Sequence, residues 1–147
     1  MKKLVWAAAC LLLGLALFGC RAEEKTEDTN VVKMMIPFAN EVTDTDVWIL
    51  PATEDNKKTS LWGKATLEKL PAGEEGAFSL EELGGSGLYL FRAIDTSGGF
   101  YAANDVFLDE GYSLRFTTEG GFSEAVLEVR DAQGVVVDTR SVFEGVL

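Results

Sequence analysis

There is no histidine among the 147 residues of this chain. That removes Ser-His-Asp and Cys-His catalytic machinery, the common His-ligated zinc sites and the easiest general base near neutral pH. Cysteine is almost as scarce, with 2 residues, Cys10 and Cys20, both near the start. Everything after Cys20 lacks a thiol and can form no disulfide, so a folded core there must hold without covalent staples. Positive charge is sparse as well: 13 Lys and Arg stand against 24 Asp and Glu, a net charge of −11. Nucleic-acid binding needs a basic footprint, so no nucleic-acid partner is expected. An acidic chain is also repelled by an anionic leaflet and should not lie flat on one. After residue 20 no apolar run is long enough to span a bilayer.

The start of the chain is organised differently from the rest. Lys2 and Lys3 precede a continuous apolar stretch over residues 4–18, and Gly19 and Cys20 follow it. A basic n-region, a short apolar core and a small residue at the boundary make a secretory signal. By layout alone, an uncleaved anchor or a cut near Ala16 also fits. The run Leu17-Phe18-Gly19-Cys20 resembles the lipobox of bacterial lipoproteins, with Phe18 where a smaller residue is usual. The resemblance implies cleavage before Cys20, a diacylglyceryl thioether on its sulfur and a further acyl chain, such as palmitate, on the freed amine. Two or three chains, each buried methylene adding roughly 0.8 kcal/mol, make such an anchor permanent. The residue after Cys20 is Arg21, not the Asp that marks inner-membrane retention. The expected location is therefore the membrane surface of a cell envelope, the outer membrane if the host has two.

Residues 1–19 are thus expected to be a signal peptide and residues 20–30 a lipidated tether. Removing the signal takes away two lysines and no acid, leaving 11 basic and 24 acidic groups, a net −13. Residues 21–30 are polar and aperiodic and cannot bury enough surface to order themselves. Ten such residues reach roughly 34 Å stretched and about 17 Å as a coil.

Residues 31–147 form one expected domain, long enough for a real core. Short β-rich runs are broken by Gly, Asp, Asn and Pro every eight to twelve residues. Residues 31–38 are the first run, with Pro37 fitting an edge strand or a strand end. Residues 46–50 stop at Pro51, and residues 76–80 follow, although Glu81-Glu82-Leu83 favours a helix there. Residues 88–95 carry apolar side chains on both faces, as a central strand does, with Arg92 interrupting one face. Residues 100–108 pair back on them across Thr96-Ser97-Gly98-Gly99. In residues 112–119, Tyr112, Leu114, Phe116 and Thr118 face inward; in residues 123–130, Ala125, Leu127 and Val129 do so. Residues 135–143 make the last strand. Leu61 to Leu70 read as a short helix after a polar loop. The sum is an all-β chain: an antiparallel β-sandwich of about seven or eight strands.

One further resemblance covers residues 40–108. Val47-Trp48-Ile49-Leu50-Pro51, Leu61-Trp62-Gly63, Leu70-Pro71-Ala72-Gly73 and the strand ending in Asp95 resemble small secreted bacterial β-sandwich domains. Such domains have no settled activity, so the resemblance implies a fold and no chemistry.

Carboxylates are the remaining catalytic or metal-binding groups. Glu41, Asp44 and Asp46 cluster in one loop, and Asp95, Asn104 and Asp105 flank a hairpin. Calcium takes six to eight oxygens, and such loops can supply them. Against this, there is no calcium-loop spacing, and Asp before Ser or Gly more often bonds its own turn. No cofactor is expected, Ca²⁺ being the one that these loops could accommodate. Trp48 and Trp62 can stack on a sugar ring, or pack against the domain itself. Ser60 and Lys64, four residues apart, are a nucleophile and base pair that the spacing permits without indicating. The expectation is a lipid-anchored envelope protein with a non-enzymatic binding or interaction module, its partner an envelope protein or glycan. The alternatives are an accessory lipoprotein docked on an envelope complex through a sheet edge, and a carboxylate- or metal-dependent enzyme.

Overall fold

A computed structural model gives the fold, and it describes residues 30–36, 44–117 and 125–146. Cys20, the tether up to residue 29, Glu41 and Thr118 lie outside the described residues, as do residues 37–38 at the end of the first expected run and residues 39–43 after it. The chain is all-β: two five-stranded sheets pack into a sandwich. In chain order the elements are β1 (Val31–Met35), β2 (Thr45–Pro51), α1 (Glu54–Lys58), β3 (Leu67–Leu70), β4 (Glu75–Ser79), α2 (Leu80–Leu83), β5 (Gly87–Asp95), β6 (Gly99–Leu108), β7 (Ser113–Thr117), β8 (Val126–Arg130), β9 (Val136–Ser141) and β10 (Phe143–Val146). The first sheet runs β4-β1-β7-β8-β9 and the second β10-β6-β5-β2-β3.

Period-two alternation decides what each strand buries. In β7 and β8, Leu114, Phe116, Leu127 and Val129 point into the core, as the pattern predicts. Opposite them, the second sheet contributes Val47, Ile49, Tyr89, Phe91, Ala93 and Tyr101. Phe116 joins the layers: its ring meets Tyr101 edge-on at 4.9 Å and Phe91 at 5.6 Å. Each such side chain contributes roughly 1.5–3 kcal/mol through burial. Tyr112, expected inside, is only half-buried, because it lies in the turn before β7 and packs edge-on against Phe107.

Among the described residues there are ten strands, not seven or eight, and the reason is the same at both sides of the sandwich. The last run splits: β9 belongs to the first sheet and β10 to the second. The corner between them is Val142, 5% exposed, whose N–H donates to the Ala125 carbonyl. On the other side β3 crosses to β4 through Pro71 and Gly73, and Gly73 has φ 84°, open to glycine. Residues 67–70 are thus an edge strand, and the helix expected there is absent. The short helix forms earlier instead, as α1. Thr53 caps it by accepting from the Asn56 N–H at 3.1 Å, and acids open it while lysines close it, matching the helix dipole. α2 forms where Glu81 and Glu82 favour it, ended by Gly84 at φ 115°.

One pairing is parallel. β1 lies between β4 and β7 and runs parallel to β7, so it is an interior strand and not an edge. The chain between the two runs through β4 and four of the second sheet's five strands, which gives the long connection a parallel pair requires.

β5 is central in its sheet, and both of its faces are covered. Leu90 and Arg92 alternate with the core residues Tyr89, Phe91 and Ala93 and stand outside the core cluster, yet both are buried.

Candidate functional site

Asp95 ends β5 and is 4% exposed. Its Oδ1 accepts from the Ser97 N–H at 2.8 Å, the Ser97 hydroxyl at 2.6 Å and the Gly99 N–H at 2.9 Å. Its Oδ2 accepts from the buried Tyr101 hydroxyl at 2.8 Å. Burial pushes the carboxyl up, but the bonds from Ser97, Tyr101 and Gly99 together outweigh it and hold the group below the usual carboxylate range. A glycine is required at position 99, since a Cβ there would lie 2.5 Å from Oδ2. The carboxylate organises the β5–β6 turn, and its lone pairs are directed at protein donors.

The other calcium candidates are dispersed. Asp46 accepts from the Lys69 N–H at 2.7 Å and holds that residue at a left-handed φ of 48°. Asp44 is exposed, and its carbonyl accepts from the Thr96 N–H. Asp105 pairs with Lys57 at 3.1 Å, and that contact holds the lysine above its ordinary pKa. Among the described residues no group of three or more acidic or sulfur side chains is placed to hold a metal ion.

Trp48 and Trp62 come together, on the outer face of the second sheet. Their rings are 5.4 Å apart, and Trp62 also stacks on Phe100 at 5.5 Å with an interplanar angle of 8°. Both indole N–H groups are engaged, Trp48 with the Gly63 carbonyl and Trp62 with the Thr59 carbonyl. The loop is fastened again where the Ile49 N–H donates to the Thr66 hydroxyl. The tryptophans pin residues 59–66 over β2, β5 and β6. Ser60 is exposed in this loop, and the Lys64 ammonium turns toward Glu68 at 3.9 Å.

Beside this cluster is a group that alternation flags only as an anomaly. Arg92 is 7% exposed; it donates to the Phe91 and Ala103 carbonyls and to the Asn104 amide oxygen, at 2.8–3.0 Å. The register of β5 with β6 slips between Tyr89 and Phe91, and Asp105 adopts φ 55° there. Arg92 fills this bulge, and its forked donors satisfy carbonyls that the broken ladder cannot. Burial lowers its pKa from a very high starting point, so it remains charged.

The edge at β9 is closed by charge. Asp138 and Arg140 pair with the core residues Val129 and Leu127, so they occupy inward positions. They bind each other at 2.7 Å, and Arg140 reaches the Asp105 carbonyl of the opposite sheet. Inward charges and a bulge on an edge strand discourage a further strand from adding.

The solvent face of the first sheet carries a concavity. Lys33, Met35, Ser113, Arg115, Glu75 and Arg130 line a groove of about 200 Å³. Register explains the convergence. Ser113 lies between Lys33 and Arg130 in one row across the sheet, and the next row places Arg115 between Met35 and Glu128. Lys33 pairs with Glu75 at 3.8 Å and Arg130 with Glu128 at 2.9 Å. Among the described residues Arg115 forms no ion pair. Outward parity of Arg115 and Arg130 is visible in the sequence, but their meeting with Lys33 is not.

No protein-family model, curated protein or solved structure matches this chain. Among the described residues no helix is long and apolar enough to cross a membrane.

Proposed function

We propose that this chain is a cell-envelope lipoprotein, anchored through Cys20, whose β-sandwich is a binding or interaction module and not an enzyme. The anchor rests on the run Leu17-Phe18-Gly19-Cys20. The module rests on one observation: the groove around Ser113 concentrates three of the nine described Lys and Arg side chains on one face of an acidic protein. A cationic recess of that kind attracts anionic groups. By contrast, Asp95, Arg92, Trp48 and Trp62 are engaged in holding turns, a bulge and a loop.

Docking on an envelope complex is the second reading, favoured by the exposed aliphatic run Val135, Val136 and Val137. The charges inside β9 direct such docking away from that edge.

Two measurements test this. Metabolic labelling with an alkyne fatty acid should mark the wild type and not Cys20→Ser; equal labelling removes the anchor. Photo-crosslinkers placed at Thr117 and Thr139 should trap a discrete partner in intact cells while one at Lys58 does not; uniform or absent crosslinking removes the module.

A further inference from the structure

The groove has more specific features than charge. Adjacent strands lie about 5 Å apart, and residues two apart along a strand about 7 Å apart. Lys33 and Arg130 therefore flank Ser113 with about 10 Å between their backbones, and Arg115 stands one pleat further along β7. Glu75 and Glu128 each have a cation at close range, and Arg115 is left as the surplus charge. Arg130 is held in place, since it also donates to the Gly134 carbonyl. Planar guanidinium forks fit carboxylates in two-point fashion.

The row that contains Lys33, Ser113 and Arg130 continues into Val136 on β9. Val135, Val136 and Val137 are 43–59% exposed there. They are held by a stiff turn in which the Asp131 carboxylate accepts from the Gln133 and Val135 N–H groups. The surface is thus cationic at one end and aliphatic at the other. None of the groove's lining residues is aromatic, so no ring offers a platform to a sugar. The overall negative charge opposes an extended anionic lipid surface, which faces much of the domain, more strongly than a short acidic segment that meets only the groove.

We propose that this surface docks an extended acidic and aliphatic segment of a partner polypeptide, its carboxylates against Arg115, Arg130 and Lys33 and its apolar side chains over the valines. The assignment rests on the module reading above but is independent of the anchor. Ser113 supplies a hydroxyl donor at the centre of the three cations.

The test uses the mature lipoprotein in neutral detergent and a fluorescent twelve-residue peptide of alternating Glu and Val. Binding should weaken steeply with added salt, because exposed charges are screened within about 10 Å at 0.1 M. Arg115→Gln and Arg130→Gln should each weaken it about tenfold, with Lys58→Gln, in α1 and outside the groove, as a neutral control. Val136→Ser should weaken it with the salt dependence intact. A Gln-Val peptide should not bind. The proposal is overturned if the Glu-Val peptide fails to bind at low salt, or if the arginine variants bind it as wild type does. It is also overturned if a uronic-acid oligosaccharide or anionic vesicles bind the groove in preference to the peptide. Thermal melts of the variants separate loss of binding from loss of fold. Cys20→Ser should leave peptide affinity unchanged, so failure of the anchor and failure of this site are distinguishable.

Discussion

Removing the Asp95 carboxylate is the most informative single perturbation of this fold. The group receives four hydrogen bonds, from Ser97 twice, from Gly99 and from Tyr101. Tyr101 is fully buried, so its hydroxyl has no water to replace a lost partner. A net hydrogen bond to a charged group contributes about 1.5–3 kcal/mol, and a buried donor left without a partner costs about 1–3 kcal/mol more. These contributions are not additive, and about 3 kcal/mol is expected for Asp95→Ala. At about 4 °C per kcal/mol for a domain of this size, the melting temperature should fall by about 12 °C. The pH dependence has a definite sign. The folded carboxyl lies below its ordinary value, so its extra stabilisation is complete above the unfolded pKa of about 3.9. It is lost as pH falls through the folded value. The gap between wild type and Asp95→Ala should therefore narrow from pH 7 to pH 3 in urea titrations. Asp95→Asn keeps the shape without the charge, and its stability difference from wild type should narrow in the same way. A loss below about 1 kcal/mol at pH 7, or a gap that stays constant on acidification, would refute the reasoning.

Gly99→Ala should destabilise by about 2 kcal/mol in chemical denaturation, because its Cβ would press on the Asp95 carboxylate and the Tyr101 hydroxyl, both fixed. Combined with Asp95→Ala it should cost less than the two singles together, and strict additivity would contradict the clash. Trp62→Phe should abolish the exciton couplet of the Trp48–Trp62 pair in circular dichroism and lower stability by about 1 kcal/mol; a surviving couplet would mean the rings do not touch in solution. Arg92→Lys should not restore what Arg92→Met loses, about 2 kcal/mol by thermal melt, since an ammonium lacks the fork that spans two carbonyls and Asn104. Full rescue by lysine would show that charge alone matters at the bulge.

Much of the sheet structure is legible in local pattern. Leu114 and Phe116, and Leu127 and Val129, alternate with polar neighbours, and each points where its parity places it. The Asp95 turn is legible because Asp before Ser-Gly-Gly bonds its own backbone. The break at Val142 is not, since the run of β-branched residues through it carries no Gly or Pro, and only the geometry of changing sheets bends it. Nor is α1, whose five residues have no apolar face and form through capping and end charges. Trp48 and Trp62 are fourteen residues apart, and their stacking depends on how a loop folds back. Arg92 breaks an apolar face in the sequence, and only the bulge opposite it gives the reason.

Composition and pattern by themselves determined that this chain has no histidine or disulfide chemistry after Cys20, that its strands alternate, and that its β5–β6 turn is built on Asp95. Those properties are local, so they survive without knowledge of what packs where. The parallel placement of β1 beside β7, the charge-closed edge at β9 and the meeting of Lys33, Arg115 and Arg130 were decided only by tertiary structure. Register between strands eighty residues apart is set by which faces the core will accept. A groove lined from four strands exists only once the core has chosen them.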